Sequence, residues 1–377
     1  MKIFFPIGAF YPSQIGGPCN TVYWHTCELA KQDIAAQVVT TTIGIKEGQV
    51  KSDTAYSEKC GTVYYGKGGS GNPRTIMEAL KSVKKNDLIH LNSLFNLLSI
   101  IVFFYTRTFD RKKQIIWSVR GELNQGALIY SRRKKKLLLF FYKRMCKNVV
   151  FHCTSEQEAI DTKAVFQNAQ IIQIPNLIKP SERFSEVVNE KQLLYVGRIH
   201  PIKALHKIIE GLALSPTFVT TNAKLVIVGK YEERHKSYYE SLLKLVQEKK
   251  LEDKVEFKGH LVGKEKERIY AKSYFTLLMS ETENFGNVVV ESLNQGTPVM
   301  ASLGTPWGIL ENYKCGYHIA NDPEVIGQHI DRLLQLDSET YAELRKNAVK
   351  LIENEFDIKT QIHRWINEYK KYANVKK

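Results

Sequence analysis

The stretch ETENFGNVVVESLNQGTPVMASLGTPWGILE, residues 281–311, decides how the rest of the chain is read. Glu283 falls in a polar loop. Gly286-Asn287 opens a helix that runs through residues 288–294. Gly296 ends it, and Thr297-Pro298 leads into a strand at residues 299–301. A glycine before a helix start leaves backbone N–H groups aimed at whatever lies in front, which favours an anion such as phosphate. Carboxylates beside an anion site would repel it, so Glu283 and Glu291 need another task. Accepting hydrogen bonds from sugar hydroxyls is the natural one. The alternative is a surface helix with two solvated acids, and this segment alone leaves both open.

Length and composition narrow the choices. A chain of 377 residues suggests two domains. Apolar content of 43% and charged content of 25% are ordinary for a globular protein. The formal net charge of +15 is not, and it implies anionic partners. Six scattered cysteines form no C-x-x-C pair and no zinc spacing, as expected of free thiols in a cytoplasmic protein. No apolar run reaches the ~18 residues of a spanning helix.

Strand-like and helix-like patterns alternate along both halves. Short apolar runs at residues 3–5, 37–42, 88–91, 115–119, 149–153 and 171–174 read as buried strands. Helical patterns at 22–31, 75–84, 94–105, 132–147 and 156–166 lie between them. Residues 178–191 read as a polar linker. A second series follows, with strands at 193–196, 223–228, 255–257, 275–279 and 317–319. Its helices are at 203–212, 238–249, 264–272, 323–335, 340–353 and 358–372. Repeated β-then-α order predicts two α/β domains with doubly wound parallel sheets. Ligands of such sheets bind at the carboxyl ends of strands, and two such domains would hold one in the cleft between them.

Four further clusters fit ligand binding. In Val196-Gly197-Arg198-Ile199-His200-Pro201-Ile202-Lys203, a strand turns at glycine, and Arg198 and Lys203 can converge on one anion; a surface loop with incidental charges is the alternative. Gly16-Gly17, after the first strand, permits close backbone approach but is not a dinucleotide fingerprint. Arg120-Gly121-Glu122 follows an N-terminal strand, where Arg120 could hold a ligand and Glu122 could accept hydrogen bonds. His90, at a similar position, reads as structural. Last, Arg132-Arg133-Lys134-Lys135-Lys136 precedes an apolar run at 137–142, which suits either an anionic bilayer surface or a core helix with a solvated basic turn. There is no P-loop, no G-x-S-x-G, no H-E-x-x-H and no D-x-D pair, and no nucleic-acid module, so no nucleic-acid partner is expected.

On these residues the chain resembles the family 4 retaining glycosyltransferases. The resemblance rests on V-G-R-I-x-x-x-K at 196–203, the Glu283–Glu291 spacing and the Gly296-Thr297-Pro298-Val299 that follows. It implies the GT-B fold, with two Rossmann-like domains. The expected domains are residues 1–178 on the acceptor side and 190–357 for the donor, with residues 358–377 returning to the first. It implies roles as well. Arg198 and Lys203 would neutralise a donor diphosphate, Glu291 would bind the ribose and Glu283 the transferred sugar. Amides around Phe285, Gly286, Asn287 and Val288 would meet the phosphate and sugar, Gly16 and Gly17 the diphosphate, and His260 and Leu261 the base. Arg120 stands where many members carry the histidine of a His-Gly pair. Gly304-Thr305-Pro306-Trp307 resembles a subgroup that builds bacterial surface polysaccharides.

The expected activity is therefore transfer of a sugar, with retention, from a nucleoside diphosphate sugar to a saccharide or lipid-linked saccharide. No metal or other cofactor is expected. The protein would be cytoplasmic, with the inner face of the cell membrane as a further partner. Two other readings remain at this point: a nucleotide-sugar epimerase of the same fold, and a noncatalytic basic protein that binds membrane or nucleic acid.

Overall fold

A computed structural model describes residues 1–13, 15, 17–124, 128, 132–186 and 191–373. The chain divides into two compact units, Met1–Lys179 with Asp357–Lys377, and Pro180–Phe356.

The N-terminal unit is built on an eight-stranded sheet. Its strands are β1 (Lys2–Pro6), β2 (Ala35–Thr41), β3 (Ala55–Glu58), β4 (Gly61–Gly66), β5 (Leu88–Asn92), β6 (Gln114–Ser118), β7 (Val149–Cys153) and β8 (Gln170–Gln173). Their order is β3-β4-β2-β1-β5-β6-β7-β8, parallel throughout except for β3 against β4. β5 and β7 are buried at every residue. That is why they read as unbroken apolar runs rather than as alternating ones. The β3–β4 hairpin was not expected. β4 is GTVYYG, glycine at both ends, and β3 is an edge strand with no buried residue, so neither carries a hydrophobic period. Gly61 makes the hairpin fit: it sits at φ +107°, and a Cβ there would stand 2.2 Å from the Ala36 carbonyl oxygen.

Helices cover both faces. The last one, Ile358–Ala373, buries Ile358, Ile362, Trp365 and Tyr369, a stripe at helical spacing. The stripe packs into the same core as Ile3, Phe5 and Val22.

The C-terminal unit has six parallel strands: β9 (Gln192–Val196), β10 (Lys224–Val228), β11 (Val255–Gly259), β12 (Phe275–Leu278), β13 (Val299–Ser302) and β14 (Gly316–Ile319). The order is β11-β10-β9-β12-β13-β14. The helix expected at 203–212 starts later, at Leu205, after a short 3-10 turn over Pro201–Lys203. Ala204, at φ +50°, separates the two; this left-handed conformation interrupts helical geometry.

Each sheet reverses its winding beside its first strand. β1 lies between β2 and β5, and β9 between β10 and β12. Loops leaving the carboxyl ends of these neighbours part in opposite directions and open a crevice. In the C-terminal unit those loops are residues 197–204 and 279–286.

Candidate active site

The two loops are held together by backbone and side chains. The Glu281 N–H donates to the Ile202 carbonyl at 2.8 Å, and Lys207 Nζ lies 2.7 Å from Glu281 Oε1. Lys203 Nζ pairs with Glu283 Oε2, and both side chains are mostly covered, at 15% and 18% exposure. Glycines set the approach. A Cβ on Gly229 would stand 1.8 Å from the Gly197 carbonyl oxygen, so the ends of β9 and β10 can meet only without side chains there. Gly304 supports the acid loop from behind. Its carbonyl accepts the Glu283 N–H at 3.0 Å.

The helix Asn287–Asn294 opens on Gly286, at φ +79°, with no side-chain cap. Asp322 and Asp337 cap two other helices of this unit by accepting first-turn amides, whereas the helices Leu205–Ala213, Lys236–Glu248 and Gly263–Lys272 lack a side-chain cap as this one does. Among the described residues, the amides of Asn287 and Val288 have no backbone acceptor. An uncapped helix start is the partial positive charge an anion needs. Phe285 itself is buried against Trp307 and Phe356, and its carbonyl accepts from the Trp307 indole. Its ring is therefore a packing element, and Trp307 anchors the loop.

Glu291 faces a different group. Lys266 Nζ is 2.9 Å from its Oε1, and Tyr270 donates to its Oε2 at 3.0 Å. Leu261 and Val288 pack on one apolar cluster with Leu194, Val226 and Tyr270, while His260 is exposed beside them. Arg198 does not converge with Lys203 in this state. It is exposed and reaches Glu232 at 3.2 Å. Each cation of the site thus has an acid partner that a diphosphate would have to displace.

In the N-terminal unit Gly17 begins the helix Gly17–Ala30, while Gly16 lies outside the described residues. Arg120 is in the left-handed region at φ +60°. Its two terminal nitrogens are committed to Asn176 Oδ1 and Asn92 Oδ1, each at 2.8 Å. Glu122 closes the loop after β5, accepting from Ser93 Oγ at 2.6 Å and from the Leu94 and Phe95 amides.

Beneath Arg120 runs a buried polar chain that no sequence motif announced. His152 Nε2 lies 2.8 Å from the Ile174 carbonyl oxygen. A carbonyl only accepts, so this nitrogen carries the proton. With the ring neutral, Nδ1 must accept from Ser118 Oγ at 2.7 Å, and Ser118 then accepts from His90 Nε2 at 2.8 Å. His90 Nδ1 accepts from the Tyr369 hydroxyl at 2.6 Å, which accepts in turn from His25 Nε2 at 2.7 Å. One carbonyl so fixes three tautomers. Burial keeps the rings neutral, with the Arg120 charge adding to it. It pushes His25 and His152 down to about 3, and His90 well below its usual range, where neighbouring histidines add as well. His25, His90, His152 and Tyr369 sit on four elements far apart in sequence, so only folding brings them together.

Among the described residues no three His, Cys, Asp or Glu side chains gather as a metal site, and no helix is long and apolar enough to cross a membrane.

Two parallel Rossmann-like units of this topology define a GT-B protein. The Anabaena protein HepE, solved with UDP and glucose, superposes over 98% of this chain and 99% of its own with a TM-score of 0.74 at 17% identity. Residues 179–351 match the family model of the group 1 glycosyl transferases. An uncharacterised glycosyltransferase of Methanocaldococcus jannaschii is 30% identical over 148 residues, 39% of this chain and 36% of its own. The O-antigen chain mannosyltransferase RfbU of Salmonella typhimurium is 25% identical over 159 residues, 42% of this chain and 43% of its own. The chain thus spans well under half the length of these curated relatives.

Proposed function

We propose that this chain is a retaining glycosyltransferase. It would move a sugar from a nucleoside diphosphate sugar to a hydroxyl of a saccharide or lipid-linked saccharide, in the building of a surface polysaccharide. One observation carries the reading: the Lys203–Glu283 pair stands on adjoining strand ends beside an uncapped helix start. In that arrangement charge growing on the leaving diphosphate meets Lys203 and the Asn287 and Val288 amides, already in place before reaction, and Arg198 once it exchanges Glu232 for the diphosphate. Glu283 is released to accept from the transferred sugar, and Glu291 holds the ribose. Arg120 takes the place of the family histidine near the sugar, and Gly17 gives the N-terminal unit a close backbone approach. The match to RfbU supports a polysaccharide acceptor, and the HepE complex supports a uridine donor.

The N-terminal unit would take the acceptor and meet an anionic membrane surface. Supporting this, the helix Arg132–Met145 exposes Leu137 at 60% together with Phe140 and Phe141, flanked by Lys134, Lys136, Lys143 and Arg144. Apolar side chains ringed by cations are what a bilayer interface selects.

The test is a screen of UDP-, GDP- and ADP-sugars for hydrolysis and for a rise in melting temperature. Turnover of one donor, enhanced by an acceptor saccharide, is expected. Inversion of the anomeric centre in the product, or no response to any donor, would overturn the reading.

A further inference from the structure

A pocket of about 480 Å³ opens on the N-terminal unit, lined among others by Tyr23, Trp24, Glu28, Lys31, Lys59, Lys179 and Lys359. Lys59 precedes β4 at the amino ends of the strands, while Ile358 lines both this pocket and the cavity beneath Arg120, so the two adjoin.

Three features of its lining suit a ligand. First, Lys31 is paired with Glu28 at 2.8 Å, but among the described residues Lys59, Lys179 and Lys359 have no acidic partner. Like charges gathered around one concavity repel each other, which an anion would relieve. Second, Lys179 Nζ stands 4.1 Å from the centre of the Trp24 ring, so a cation and an aromatic face are presented together. Third, the aromatic wall continues outward. Tyr23 meets Trp24 edge-on at 4.7 Å and stacks on Tyr11 at 4.2 Å. Tyr11 is itself 38% exposed and belongs to the loop after β1. A row of partly open rings thus leads from the pocket toward the carboxyl ends of the strands.

We infer that this pocket and its aromatic row bind an anionic saccharide, a chain of pyranose rings that carries carboxylate or phosphate groups. Aromatic rings take the C–H faces of the sugars, and the lysines take the charges. A neutral saccharide would use only the rings, and a bare inorganic anion only the lysines. The inference takes from the proposed activity no more than that the acceptor is a saccharide. It adds that the acceptor is anionic and is gripped in this pocket of the N-terminal unit.

The chain supplies its own probe. Of its four tryptophans, Trp117, Trp307 and Trp365 are buried, so quenching by acrylamide reports Trp24. The full chain is titrated with a short oligogalacturonate, with a maltooligosaccharide of equal length, and with inorganic pyrophosphate. The oligogalacturonate should protect Trp24, less so at high salt, and the double variant Lys59→Glu, Lys179→Glu should bind it about tenfold more weakly or worse. Both lysines are on the surface, and unchanged circular dichroism of the variant confirms its fold. No protection by oligogalacturonate overturns the inference. So does equal protection by the neutral sugar or by pyrophosphate. Donor hydrolysis is followed in parallel. Turnover without Trp24 protection removes the pocket alone, whereas protection without turnover of any donor counts against the transfer reading and leaves the pocket standing.

Discussion

The two units handle charge in opposite ways. The N-terminal unit has 31 lysines and arginines against 14 acids, and the C-terminal unit 23 against 25. The entire positive excess of the chain therefore lies in the first. Inside the C-terminal site, charges are opposed in partly exposed pairs: Lys203 with Glu283, Lys266 with Glu291, Arg198 with Glu232. The N-terminal unit instead buries neutral polar groups in a fixed hydrogen-bonded chain and, among the described residues, leaves Lys59, Lys179 and Lys359 outside without an acidic partner. Exchangeable pairs suit a ligand that arrives and leaves. A neutral buried chain suits a scaffold, because each of its members would be costly to leave unsatisfied.

Four experiments would break or sharpen this contrast. The largest effect is expected from acid. Three buried histidines with depressed values bind no proton when folded but each binds one when unfolded below about pH 6.5. The stability they permit is full above that pH and is lost as pH falls. The slope approaches about 4 kcal/mol per pH unit, three protons at ~1.4 kcal/mol each. None of the described C-terminal histidines is buried. Calorimetry between pH 7 and 5 should then show the N-terminal transition moving down first; parallel movement of both would deny the contrast. Next, Lys203→Ala should lower donor turnover about 100-fold, ~3 kcal/mol, with the fold retained by circular dichroism. Near-normal turnover would remove the diphosphate role.

Tyr369→Phe is the third. It removes the hydroxyl shared by His25 and His90, at a cost of about 1–3 kcal/mol. The loss should appear in the N-terminal transition of a melting curve and leave donor binding unchanged. The smallest effect belongs to Ala204→Gly. Relief of the left-handed conformation should stabilise the C-terminal unit by up to ~1 kcal/mol, read as a higher urea midpoint with an unchanged slope. A lower midpoint would mean that the Ala204 methyl packs for more than its backbone costs.

Much of this was legible in residue order because the causes are local. β5, β7, β9 and β12 read as strands because both faces of a parallel strand are buried. The stop at Gly296 and the start at Gly286 follow from what glycine permits, and both residues do sit at positive φ. The β3–β4 hairpin escaped because an exposed edge strand has no hydrophobic period to read. The start of the helix after Lys203 escaped because Ala204 gives no sign in sequence that it will take a glycine's conformation.

Within the site the same division holds. The identities Arg198, Lys203, Glu283 and Glu291, and the order of the elements that carry them, were fixed by sequence, since charge type and loop chemistry are properties of the residues themselves. Which acid meets which cation was decided by tertiary structure: strand order sets β9 beside β12, and only then does Lys203 reach Glu283 rather than Glu291. The same is true of the three histidines joined through Ser118 and Tyr369. Each side chain offers several hydrogen bonds, and only the packed fold selects one direction for all of them, beginning at a single carbonyl, that of Ile174.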